Sequence, residues 1–151
     1  MKNMMLIVVT LAFLAIGGGT TACAQVTDTI DADIPFDFMV SGKVVPAGHY
    51  TVKRVDSNPA IMELRGADAR VVNVFLTNSA EVAKEPKQSE LIFDRIGDQY
   101  FLSRIFEEGN RYGVEVQESR AERKLEKEGA LEKQSVSIPA AEQQNSQSAN
   151  Q

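Results

Sequence analysis

Cysteine is almost missing from this chain: Cys23 is the only one among 151 residues. No disulfide can form within one molecule, so the disulfide-stapled class of small exported domains is excluded. Whatever folds must be held by packing. Tryptophan is absent, and histidine occurs once, as His49. A hydrolytic triad would need that histidine beside a nucleophilic serine, and no G-x-S-x-G elbow is present. A zinc site would have to combine one imidazole with carboxylates alone, a rare ligand set. Basic clusters interleaved with aromatics are also missing. Beyond Ala24, fifteen basic side chains stand against twenty-one acidic ones. A surface of that sign is expected to repel nucleic-acid phosphates and anionic lipid.

Long apolar runs are limited to one. Met4 to Ile16 is uncharged and largely aliphatic, follows Lys2, and leads through Gly17-Gly18-Gly19 to Ala22-Cys23-Ala24. A basic start, an apolar run of this length and an A-x-A pattern predict a secretory signal peptide over residues 1–24, cut between Ala24 and Gln25. The run falls short of the roughly 20 residues that cross a bilayer. No transmembrane segment is therefore expected in the mature chain. The alternative is a lipid anchor at Cys23. That pattern wants a large aliphatic residue three positions earlier, where Thr20 stands, so simple cleavage is preferred. The expected location is exported, in the periplasm, the cell envelope or the exterior.

From residue 25 the dominant signal is period two. Ile30, Ala32, Ile34, Phe36, Phe38 and Val40 alternate with Asp31, Asp33 and Asp37, which places a dry and a wet set on opposite strand faces. Pro35 cannot donate to a ladder, so this is an edge strand or one broken into two pieces. Ser41-Gly42-Lys43 turns the chain. Pro46-Ala47-Gly48 predicts a second corner, of type I, with Gly48 last. Strands are expected after it from Tyr50, over Ile61 to Arg65, and through Val71 to Leu76, the last with both faces partly covered. Asn78 to Ser89 reads as the longest loop. Gly97-Asp98 joins two apolar runs as a two-residue hairpin, which sets Phe93 opposite Leu102 and Arg95 opposite Tyr100.

Strand-like runs recur about every ten residues, with no helical period between them. The expectation is an all-β domain over 25–117, a small antiparallel β-sandwich or partly open barrel. Ser119-Arg120-Ala121-Glu122 has the spacing of a capping box and opens a short surface helix within 118–129. Residues 130–151 end in QQNSQSANQ and are expected to be a disordered polar tail.

Phe36-Asp37-Phe38, Pro46-Ala47-Gly48-His49-Tyr50, Gly97 to Ser103 and the run from Ser119 together resemble an uncharacterised family of small exported proteins common in Acidobacteria. The resemblance would span nearly the whole mature domain. It implies export and a β fold, and it lends no catalytic residues. A P-x-G-x-Y corner is also similar to one in transthyretin-like and collagen-adhesin-type sandwiches.

No residue set converges on a reaction. His49 reads as an exposed turn-edge residue. Asp31, Asp33 and Asp37 share a strand face but are spread by the extended backbone, and no D-x-D-x-D-G loop gathers them for calcium. Glu107-Glu108 precedes Gly109-Asn110 and reads as a charged hairpin tip. Lys53, Asn73 and Glu63 are a candidate isopeptide set, for which spacing offers no test. Arg95 and Arg104 interrupt the apolar face of the long hairpin. With Tyr100 they are the binding candidates, either lining an anion pocket or laying their stems over the core. No catalytic, metal or cofactor residue is expected. The predicted role is a non-catalytic binding or structural module for a protein or polysaccharide, and the alternative is a carrier of a small apolar ligand between the sheets.

Overall fold

The structure, a computed structural model, describes residues 29–127 and 133–142. The expected signal peptide, the Ala24–Gln25 cleavage site and Cys23 lie outside the described residues. Strands run β1 Thr29–Ile34, β2 Phe38–Val40, β3 Lys43–Val45, β4 Gly48–Val55, β5 Asn58–Gly66 and β6 Val71–Glu81. They continue with β7 Glu90–Ile96, β8 Gln99–Phe106 and β9 Tyr112–Val116, then helix α1 Arg120–Lys127, β10 Gln134–Pro139 and β11 Ala141–Glu142. Among the described residues the protein is all-β with one short helix.

Neighbouring strands follow the order β10-β7-β8-β9-β6-β5-β4-β1-β11. Only Ala140 separates β10 from β11, so the strand at one end of this path continues into the strand at the other. The sheet thereby closes on itself as a barrel, so the ends of this path are not free edges, and among the described residues the short β3, paired with β2 alone, keeps an open side. Two segments turn the corners. β6 pairs with β5 through its first half and with β9 from Thr77 to Glu81. Pro35 ends β1, and the chain re-enters the ladder as β2, which meets β8 in parallel at Met39 and Phe101. The broken first strand expected from Pro35 is therefore a change of sheet.

The interior is filled by the in-facing set. Ile30, Ala32, Ile34, Val52, Leu64 and Phe75 come from one half, and Phe38, Val40, Leu91, Phe93, Leu102 and Ile105 from the other. Phe38 packs edge-on to Tyr50 at 5.6 Å and to Phe93 at 5.4 Å. Each such valine, leucine, isoleucine or phenylalanine side chain, fully buried, contributes roughly 1.5–3 kcal/mol. In the β7–β8 hairpin Gly97 takes φ 63°, and the register pairs Phe93 with Leu102 and Arg95 with Tyr100 as the sequence predicts.

Three expectations need correction. The strand at Val71 does not stop at Leu76 but runs to Glu81, because β9 offers a partner to Asn78–Glu81. Nor are both its faces covered: Asn73 and Phe75 point inward, while Val72, Val74 and Leu76 remain 40–50% exposed on the outer face. The first part of the tail expected over 130–151 is instead strand, over Gln134–Pro139 paired along β7 and over Ala141–Glu142, while the polar ending at 143–151 lies outside the described residues. Val136 and Ile138 alternate with polar residues, a pattern that the low-complexity ending masks, and Ile138 and Ala140 pack on the core.

Candidate functional site

The Pro-Ala-Gly corner is built around Tyr50. Its hydroxyl donates to the Pro46 carbonyl at 2.8 Å, and the Ala47 N–H donates to Asp37 Oδ1 at 2.8 Å. Ala47 and Gly48 both keep negative φ, as a type I corner requires and a type II corner would not. Burial and the Asp37 charge push the Tyr50 hydroxyl up from its ordinary pKa. Phenol and carboxylate thus fix the corner's shape.

The acidic face of β1 does not gather into a site. Asp31 accepts from the Thr51 hydroxyl, Asp33 pairs with His49 Nδ1 at 2.9 Å, and Asp37 serves the corner. His49 sits directly opposite Asp33 in the β1–β4 ladder and is half exposed. Among its polar contacts in the described residues none is to a serine hydroxyl. The isopeptide set is separated by the barrel wall: Asn73 is buried and donates to the Val40 carbonyl, whereas Lys53 stands beside Glu63 on the outer face.

Arg95, Tyr100 and Arg104 lie on the β7–β8 hairpin. The Arg95 guanidinium is 5.7 Å from the centre of the Tyr100 ring, and Phe36 stacks on that ring at 3.9 Å. Arg95 Nε also donates to the Gly97 carbonyl at 2.9 Å. Arg104 turns to other partners, Ser135 Oγ at 3.3 Å and Asp94 Oδ1 at 4.0 Å. The two guanidiniums thus answer to different groups.

The strongest charge constellation is one that sequence reasoning missed. Asp94 follows Phe93 on β7 and so points away from the core, yet it is 2% exposed. Lys133 covers it, with Nζ 3.1 Å from Asp94 Oδ2, 2.9 Å from Glu126 Oε1 and 3.7 Å from Glu118 Oε1. Glu118, Glu122 and Glu126 are spaced four apart along α1 and the residues that lead into it, with carboxylate oxygens within 4.8 Å of one another. Glu122 completes the expected capping box: its N–H donates to Ser119 Oγ at 3.1 Å, and its carboxylate accepts from the Ser119 N–H at 3.3 Å.

This cluster shifts the acidity of its members. Burial, aided by Glu118 and Glu126, pushes Glu122 up to about 7 against the pull of the Ser119 N–H and Lys133. Burial also opposes ionisation of Asp94, but hydrogen bonds from Ser103, Lys133 and Ser135 and the Lys133 charge outweigh it and hold the carboxyl below its usual range. Desolvation acts against the Lys133 ammonium, and Glu126 and Asp94 more than offset it, so its pKa is raised. Chemically the arrangement is a carboxylate cradle whose cation is the chain's own lysine. The spacing of Glu118, Glu122 and Glu126 is a readable signal, but nothing local points from it to Lys133 or to Asp94.

Two shallow troughs flank α1 and meet at Ala121. One, of about 520 Å³, is lined by Phe38, Met39, Val44, Tyr100, Lys124 and Leu125, among others. The second, of about 630 Å³, lies against Ile61, Val74 and Leu76, with Ser41, Gln117 and Ser119 on its rim. No helix among the described residues is long and apolar enough to cross a membrane. No family model, curated protein or solved structure matches the chain.

Proposed function

We propose that this chain is exported to the periplasm or exterior and acts there by contact, as a non-catalytic binding or structural module of the cell envelope. Membership in the exported family that its motifs resemble is part of the same proposal. One observation carries it: the outer face of β6 presents Val72, Val74 and Leu76 at 40, 50 and 48% exposure, and Val74 and Leu76 line the trough beside α1. Aliphatic side chains in a row on a strand, next to a concave surface with a polar rim, suit a protein partner better than a sugar. An exposed apolar patch of this kind marks interaction surfaces on soluble domains. The carrier reading has less support, because ring contacts fill the interior between the sheets. The depression at one end, beside Ile30, Met62, Ile105 and Val114, is about 250 Å³. That is below the roughly 300–1,000 Å³ of ordinary ligand pockets.

The test is affinity capture from the native envelope with the wild-type chain and with Val74→Lys. A partner retained by the wild type and lost by the variant, with unchanged circular dichroism, supports the reading. Equal capture by both, or capture of nothing, removes it.

A further inference from the structure

We propose that the outer face of α1 is an electrostatic docking surface for anionic phospholipid. It stands on the helix and on Val44, and not on the β6 stripe. Four of the eight residues of α1 are basic, Arg120, Arg123, Lys124 and Lys127. All four are exposed and line one shallow, open depression of about 460 Å³. Both acidic residues of the helix are engaged on its other side, Glu122 in the capping box and Glu126 on Lys133. A chain of net charge −5 thus shows solvent a basic row along one side of this helix. The overall balance that predicts repulsion of anionic lipid conceals a local surface of the opposite kind, because Glu122 is buried and Glu126, though exposed, is paired with Lys133 on the side away from the basic row.

The neighbouring contour favours a lipid surface over an acidic peptide. Val44 stands 70% exposed at the edge of the shallow trough that Lys124 and Leu125 border. An aliphatic prong beside a cation row fits the headgroup boundary, where apolar side chains enter and cations stay with phosphates. Asp37 and Asp98 also line the trough, so the helix rather than the trough floor meets the anions. Each Lys or Arg near an anionic surface strengthens binding about fivefold.

The experiment is co-sedimentation of the full exported chain with vesicles of phosphatidylglycerol and phosphatidylcholine, and with phosphatidylcholine alone, at low and high salt. The wild type is expected to bind the anionic vesicles at low salt and to lose them at high salt. Arg123→Glu/Lys127→Glu should weaken that binding by about tenfold or more. Lys84→Glu/Lys87→Glu changes net charge equally, at exposed positions in the loop between β6 and β7, and should weaken it much less. A lipid anchor at Cys23 would bind both vesicle types regardless of salt, so the difference between vesicles reports the helix. Equal loss in the two double variants overturns the proposal, as does absence of any preference for anionic vesicles. Binding of the helix face to an acidic protein without vesicle binding overturns it too.

Discussion

Lys133 and Asp94 meet where the barrel closes: the ammonium lies 3.1 Å from a carboxylate that is only 2% exposed, one residue before the strand that completes the ring. The same ammonium reaches Glu126 on α1 at 2.9 Å. One side chain therefore ties the helix and β7 to the start of β10. Of the two outer-surface features that sequence composition obscures, this is the one that bears on stability.

Lys133→Met is expected to destabilise the fold by about 1–2 kcal/mol, read as a lowered urea midpoint. The methionine keeps an apolar stem but leaves Asp94 with Ser103, Ser135 and the more distant Arg104. Removing one partner of a fully buried pair costs more, but 38% of the Lys133 side chain is exposed and solvent screens the loss. Adding Asp94→Asn should recover part of the deficit, since the uncompensated charge disappears with it. A double variant as unstable as the sum of the singles would contradict the coupling.

Glu122 gives the pH dependence. Its folded pKa of about 7 lies above the ordinary 4.5, so the folded state holds the proton more tightly than the unfolded chain. The stability contributed by this group is complete below pH 4.5 and is lost as pH rises toward 7. Glu122→Gln keeps an acceptor for the Ser119 N–H and cannot ionise. It should leave the urea midpoint nearly unchanged near pH 4 and raise stability by about 1–2 kcal/mol near pH 8. A variant weakened near pH 8 would show that the carboxylate is needed as a charge for the cap.

How far the sequence can be read follows from the range of each signal. Alternation and turn residues act between near neighbours, so the β7–β8 register and the capping box at Ser119 are legible, as is the corner at Pro46. The partners of β6 and β10 are not. Whether Asn78–Glu81 is loop or strand depends on β9, more than thirty residues on, and Gln134–Pro139 is a strand because β7 lies alongside. The candidate trio does lie on the strands of the hairpin, and Arg95 bonds locally to Gly97, but Arg104 bonds to Ser135, which arrives only with the closing strand. Net charge misleads for a related reason: composition does not say which way Glu122 and Glu126 turn.

Gly113 tests the closeness of β8 and β9. A Cβ built there would lie 2.4 Å from the Ile105 carbonyl oxygen and 2.4 Å from Phe106 Cδ1. The first is backbone of a neighbouring strand and cannot swing aside, so the ladder itself must shift. Gly113→Ala is expected to cost about 2–3 kcal/mol, in the range of overpacked cores. Gly109→Ala is the control, because it is strained for a different reason. No atom lies within 4 Å of where its methyl would stand, but its φ is +69°. It should cost about 1 kcal/mol, from backbone conformation alone. Thermal unfolding of both variants separates the two causes: a larger fall in Tm for Gly113→Ala follows from contact between strands, and equal falls would mean that β8 and β9 yield more easily than their spacing implies.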